Sequence, residues 1–153
     1  MLFILFQLDA DRYALPAHEV AEVLPLVAVK ALPGAPAGVA GLIDYRGTAV
    51  PAIDLSALAL GRAAKRRVST RVLMVRYTPA RGGERLLAVI AEHATETLRK
   101  PPGDFKPTGV ASEATRYLGP VAHDARGLIQ RVEVSALLTD ALRAALYPEE
   151  ALA

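Results

Sequence analysis

The chain contains no cysteine and no tryptophan, and aromatic residues make up only 5% of its 153 positions. Without cysteine there is no disulfide framework and no thiolate metal site, which suits a reducing cytoplasm. With so few aromatics there is little to stack on nucleic-acid bases. A strong charge bias is missing too. Eighteen Lys and Arg stand against 16 Asp and Glu, for a net charge of +2. The pI near 9.1 therefore reflects a small excess of cations rather than a basic block. No apolar run reaches the roughly 20 residues of a membrane-spanning helix without a charge, proline or glycine interrupting it. The apolar opening Met1–Leu8 (MLFILFQL) is too short to span, and it lacks the basic start and cleavage site of a signal peptide. It reads as a buried first strand. What remains is a globular composition, 52% hydrophobic and 22% charged, with enough chain for one well-buried domain.

Catalytic groups are equally sparse. The three histidines, His18, His93 and His123, have no metal-ligating spacing. His18-Glu19-Val20-Ala21-Glu22 begins like a zinc-protease helix but holds Glu22 where the second imidazole belongs. The four serines include no nucleophile elbow, and no glycine cluster is followed by a phosphate-binding lysine. Asp44 and Asp54 flank the central hairpin, where local hydrogen bonding to turns is the plainer reading than acid–base work. Lys65-Arg66-Arg67 is the single basic cluster and reads as a solvated loop. No cofactor and no metal is implied, and the chain reads as a binding protein rather than an enzyme.

What is there is strand after strand. Leu2–Leu8 and Tyr13–Leu15 form an opening hairpin across the polar turn Asp9–Arg12. Pro16 and the i, i+3, i+4 spacing of Val20, Val23 and Leu24 predict a short helix stopped by Pro25. Residues 32–39, with two prolines and two glycines, form a loop. A second hairpin spans Gly41–Tyr45 and Thr48–Ile53, with Pro51 restricted to a sheet edge or a bulge. One helical turn follows at Leu55–Leu60, then a loop at Gly61–Thr70. Arg71–Tyr77 and Leu86–Ala91 pair across a glycine-bearing turn at 79–84, with an extension at Ala94–Arg99 after a bend. Lys100–Arg116 is a long loop with three prolines. Tyr117–His123 and Leu128–Val134 form a third hairpin. Ser135 then caps a C-terminal helix that presents Val134, Leu137, Leu138, Ala141, Leu142 and Leu146 on one face and ends at Pro148. Short strands in hairpins favour barrels or sandwiches over parallel α/β sheets, and two glycine-bearing hairpins suggest two similar β units.

One residue stands out. Arg46 lies between apolar flanks, Leu42-Ile43 and Val50 with Ile53. A guanidinium near a core requires a carboxylate. Glu22, between Val20 and Val23, ranks slightly above Glu19 and Asp44 as that partner; the bland alternative is an exposed hairpin-turn arginine, which is common.

Phe6-Gln7-Leu8, Tyr13-Ala14-Leu15-Pro16 and Val20-Ala21-Glu22-Val23 resemble the start of the CheW family. The block from Leu32-Pro33-Gly34 through Gly41-Leu42-Ile43-Asp44-Tyr45-Arg46-Gly47 to Val50-Pro51-Ala52-Ile53-Asp54-Leu55 resembles that family's signature. So do Tyr117–Val121 and Leu128-Ile129-Gln130. The resemblance covers residues 2–146. It implies a mainly β fold: two five-stranded SH3-like barrels, interleaved in sequence within a single domain over 1–153, packed around a shared core, with a C-terminal α-helix. It implies a non-catalytic, cofactor-free cytoplasmic adaptor that couples methyl-accepting chemoreceptors to the regulatory domain of a CheA-type histidine kinase. A family salt bridge maps onto Glu22 and Arg46, and receptor contact in a groove between the barrels maps onto Val20, Val23 and Gly41. Kinase contact uses a barrel end. Asp44-Tyr45 departs from the usual Asn-Leu before Arg46-Gly47, and it resembles adaptors of the Wsp-type surface-sensing branch. The competing reading is a small-barrel nucleic-acid-binding module.

Overall fold

The computed structural model describes residues 1–78, 83–110, 112 and 115–148. Among these described residues there are nine strands: β1 Leu2–Leu8, β2 Asp11–Pro16, β3 Val20–Pro25, β4 Val39–Tyr45, β5 Thr48–Asp54, β6 Arg71–Tyr77, β7 Arg85–Arg99, β8 Leu118–Asp124 and β9 Gly127–Val132. Two short α-helices, α1 (Leu55–Leu60) and α2 (Asp140–Leu146), accompany them.

The strands form two five-membered sets that share β7. Its first half pairs antiparallel with β6 and parallel with β5, through Ala52↔Ala88 and Asp54↔Ile90. Its second half pairs antiparallel with β1, from Gln7↔Glu92 to Leu2↔Arg99. One set therefore runs β4-β5-β7-β6-β3 and the other β8-β9-β2-β1-β7. Both follow one pattern: a hairpin, then a parallel pair, then two antiparallel pairs. These are the two similar β units anticipated from the sequence. In neither set does the last strand pair back onto the first, so each is an open five-stranded sheet rather than a closed barrel. β7 changes sets at Glu92-His93, where His93 adopts a φ of +52° and the register with β1 slips. That is the bend expected before Ala94.

Alternation within strands feeds separate cores. On β6, Val72 and Met74 face a cluster with Ile43, Val50, Ala88 and Ile90, inside the first set. Leu73, Val75 and Tyr77 face the opposite way, into a central cluster that also receives Phe6 and Leu15 from the second set and Leu138 and Leu142 from the C-terminal segment. Phe3, Leu5, Phe105 and Ile129 fill the second set. A strand buried on both faces reads as an unbroken apolar run, as residues 72–75 do within β6. Each fully buried Leu or Phe contributes about 1.5–3 kcal/mol, so the shared cluster is the main cohesive element. Tyr147 closes it by stacking on Tyr77 at 5.5 Å and donating to the Leu86 carbonyl.

Two expectations fail locally. Val20–Pro25 is a strand, preceded by only one 3₁₀ turn at Ala17–Glu19. Its burial alternates, with Val20, Glu22 and Leu24 turned inward and Ala21, Val23 and Pro25 outward. Six residues are too few to separate period 2 from period 3.6, and pairing with β6 decides for the strand. The C-terminal helix begins later than expected. Thr139, not Ser135, caps it by accepting from the Leu142 N–H, and Val134–Ala136 is a separate 3₁₀ turn. Pro51 meets its restriction: it pairs with Leu42 on β4, and the ladder to β7 starts only at Ala52. Most of the turn expected at 79–84 lies outside the described residues.

Candidate functional site

Arg46 and Gly47 form the tip of the β4–β5 hairpin. Both have positive φ, +51° and +85°, as a primed two-residue turn requires. Asp44 Oδ1 accepts the Gly47 N–H at 2.9 Å and fixes that turn. The tip throws the Arg46 side chain back toward β3, where its guanidinium meets Glu22 Oε1 at 2.8 Å. Arg46 is 74% exposed and Glu22 32%. The apolar flanks are buried, as Ile43, Val50 and Ile53 show, but the charge sits outside them. Of the three carboxylates considered, Glu22 holds the bridge. Asp44 serves the turn, and Glu19 is partly buried with Oε2 unpaired. Burial is the main cause that raises the Glu19 carboxyl above its ordinary range.

Tyr45 was not anticipated as a partner. Its hydroxyl donates to the same Glu22 Oε1 at 2.6 Å, and the Arg46 guanidinium lies 4.9 Å from its ring centre. The hydrogen bond to Glu22, and then partial desolvation, raise the Tyr45 hydroxyl above its usual pKa. The only sequence signal was Tyr45 itself, a bulky polar-tipped residue beside Arg46.

The other predicted residues are separated. Val20 turns inward against the central cluster, while Val23 is 39% exposed on the outer face. One docked side chain cannot touch both across the strand. Gly41 is buried, with φ +143°, where the chain at Lys30 crosses β4. A Cβ there would lie 2.0 Å from the Lys30 carbonyl oxygen. That crossing is held by reciprocal backbone bonds between Lys30 and Leu42, at 2.8 and 2.9 Å. Gly41 is therefore packed against the Lys30 crossing rather than exposed on a surface. Among the described residues β3 pairs only with β6, so none of them pairs with its outer edge, which carries Glu22 and is bordered by Arg46.

No other constellation competes. Among the described residues no group of three or more His, Asp or Glu side chains is placed to hold a metal. His18 and His123 are exposed, and His93 occupies the β7 bend. Asp54 caps α1 through the Ala57 N–H and also accepts the Ala64 N–H, so it is a local acceptor as expected. Among the described residues no helix is long and apolar enough to cross a membrane.

Comparison with known proteins gives these features a setting. A search of curated proteins by sequence returns no match. Among solved structures, the crystal structure of scaffolding protein TtCheW from Thermoanaerobacter tengcongensis is similar, with a TM-score of 0.77 over 91% of this chain and 88% of that one. The two are 19% identical, so the likeness speaks for the fold. A family model for the CheW-like domain matches residues 2–142, nearly the whole chain. The chain thus belongs to the CheW-like domain family, whose members are non-catalytic scaffolds of chemotaxis-type signal transduction.

Proposed function

We propose that this chain is a cytoplasmic chemosensory adaptor that couples the cytoplasmic tip of a methyl-accepting receptor to the regulatory domain of a CheA-type histidine kinase. The observation that carries the reading is the family match over residues 2–142. No catalysis and no cofactor enters it: signal passes through two binding surfaces held at a fixed spacing by the shared core.

The receptor surface in this reading is the outer edge of β3 and the adjoining hairpin tip. Val23 offers an exposed apolar side chain on the outward face of β3, and Glu22 with Arg46 holds a fixed pair of charges on the other side of that strand edge. A receptor helix would lay an apolar stripe against such a surface and set its register by the charges. Val20 and Gly41 act through the fold rather than by direct contact. Val20 supports β3 on the core, and Gly41 keeps the Lys30 crossing in place. Asp44-Tyr45, in place of the usual Asn-Leu, supports assignment to the Wsp-type branch, which controls a diguanylate cyclase; a genomic neighbour of that kind tests the assignment.

The test of the main reading is a pulldown of this chain with CheA-type kinase and receptor cytoplasmic fragments from the same genome. Wild type is compared with Arg46→Glu, Glu22→Arg and the double exchange. Capture by wild type, loss in each single variant and partial recovery in the exchange are expected. Capture that none of the variants alters would remove Arg46 and Glu22 from recognition. No capture of either partner would overturn the adaptor reading.

A further inference from the structure

The three cations at 65–67 take no part in the surface just described. Gly61–Thr70 contains no strand or helix, yet its backbone is pinned at several points. The Ala64 N–H donates to Asp54 Oδ2 at 2.8 Å, the Arg67 N–H to the Lys65 carbonyl at 3.0 Å, and the Thr70 N–H to the Arg67 carbonyl at 3.0 Å. At its start, Arg62 is anchored to Glu92 at 2.9 Å. Lys65, Arg66 and Arg67 on this pinned loop are exposed, and among the described residues none of them has an ion-pair partner. Val68 follows them at 94% exposure.

Beside the loop lies a cleft of about 310 Å³. Its walls are mostly apolar, among them Leu26, Val29, Ala57, Ala63 and Ile90, and Arg66 lies on its lining. The one carboxylate there is Asp54, and both of its oxygens are already occupied by the Ala57 and Ala64 N–H groups. A single exposed valine is ordinary on a protein surface, and so is a basic loop. An unpaired arginine on the lining of an apolar cleft, flanked in sequence by two more unpaired cations on a pinned backbone, is a different matter. Together they lower the potential energy of an anionic segment at the point where one apolar side chain can be desolvated.

We propose that this loop and cleft form a docking site for an acidic segment of a protein partner. The segment would seat one leucine-like side chain in the cleft and set its carboxylates against Lys65, Arg66 and Arg67. The chemistry favours a peptide over the other polyanions. A concave apolar cleft recognises a discrete side chain, which a lipid surface does not offer. Single-stranded nucleic acid is held by stacking on aromatic rings, and the cleft lining contains none. The inference stands independently of the receptor–kinase reading, since neither Glu22 nor Arg46 lines the cleft.

The probe is a short fluorescein-labelled polyglutamate peptide with a central leucine pair, titrated into the full chain at low and at physiological salt. Amide shifts in an NMR titration are expected at Ala57, Ala63, Ala64 and Ile90. The joint change Arg66→Glu and Arg67→Glu should weaken binding by about tenfold or more, and higher salt should weaken it as well. Ala63→Trp, which obstructs the cleft, and a peptide with serine for leucine should each cause a similar loss. These side chains are exposed, so thermal melts of the variants should match wild type. Binding indifferent to charge reversal, or to loss of leucine, would overturn the site. Tighter binding to phosphatidylserine vesicles or to an oligonucleotide, lost in the same variants, would overturn the peptide assignment. Peptide binding alongside a failed kinase and receptor pulldown would keep this site and sink only the adaptor reading.

Discussion

Two glutamate–arginine pairs of nearly equal length occupy opposite situations in this molecule. Glu22–Arg46 spans 2.8 Å at the hairpin tip, with Arg46 almost wholly in water. Glu92–Arg62 spans 2.9 Å at the β7 bend, with Glu92 only 7% exposed. The inner carboxylate has a buried neighbour as well, the Ser56 hydroxyl at 2.7 Å, and Arg62 reaches on to Asp9 at 2.6 Å. Four residues from the β1–β2 turn, α1, the following loop and β7 thus meet where one sheet hands over to the other. Burial alone pushes the Glu92 carboxyl up, but hydrogen bonds from Ser56 and Arg62 outweigh it and hold the group below its ordinary value. The lesson is that geometry does not rank the two pairs; solvent does. The inner pair holds the two halves together, whereas the outer pair contributes little to stability and is free to serve recognition.

The largest expected effect lies in neither pair but at Gly41, where the Lys30 crossing packs on β4. Gly41→Ala would place a methyl group 2.0 Å from the Lys30 carbonyl oxygen, at a φ disfavoured for alanine. The backbone must move, and a loss of about 3 kcal/mol or more is expected in urea unfolding. A near-neutral result would show that the Lys30 crossing is pliable.

Next comes the inner pair itself. Glu92→Ala leaves Arg62 with Asp9 but strips Ser56 of its acceptor and opens a buried void. About 2 kcal/mol is expected, lower than for a fully buried pair because Arg62 is partly solvated. Arg46→Ala, measured beside it, should cost under about 1 kcal/mol. Equal losses would break the comparison.

A third pair sharpens it along the pH axis. Arg12, itself buried, grips both oxygens of Asp124 at 2.6 and 3.1 Å and reaches the Gly127 carbonyl at 3.1 Å. That guanidinium first, and then the Arg126 N–H, lower the Asp124 carboxyl to about 2. A depressed folded value means stability that is fully present above the unfolded carboxylate range, near pH 4, and lost as pH falls toward 2. Wild type should therefore lose urea midpoint across that window, and Asp124→Asn should fall less steeply. Parallel slopes would show that Arg12 does not discriminate the ionised form.

These outcomes bear on what the sequence could reveal. The strands and the central hairpin were legible because alternation and turn chemistry are local. The short strand β3 was not, since Val20, Val23 and Leu24 fit a helix as well as Val20, Glu22 and Leu24 fit a strand. Pairing with β6, more than 40 residues away, settled it. The late start of α2 was hidden because an apolar face continued smoothly through the break at Leu137–Thr139. Glu22–Arg46 could be narrowed only to three carboxylates, Glu22, Glu19 and Asp44, and on the premise of a charge near the core, whereas Arg46 is mostly in water. Asp9, Ser56, Arg62 and Glu92 could not be linked at all, since only the fold brings them together. Their one trace was a lone acid, Glu92, closing the apolar run Leu86–Ala91.

The smallest expected effect is the most informative about recognition. Tyr45→Phe keeps the ring under Arg46 and removes one hydrogen bond to Glu22 at a half-buried position. About 0.5–1 kcal/mol is expected. Tyr45→Leu also removes the cation–π contact, worth about 0.5–1 kcal/mol at an exposed site. Stability should thus fall slightly and in that order. Capture of the receptor fragment should follow a different rule. If Tyr45 only adds stability, the two variants should bind in proportion to their folded fraction, which stays near one. If it aims the Arg46 guanidinium, binding should drop with Leu and not with Phe, because the ring and not the hydroxyl sets the direction of that side chain. A matching drop in both would assign the aim to Glu22, with its carboxylate held by the Tyr45 hydroxyl. That hydroxyl has its pKa raised, so it stays protonated well above neutrality. Capture that weakened between pH 7 and pH 9 would therefore have its source elsewhere than in Tyr45.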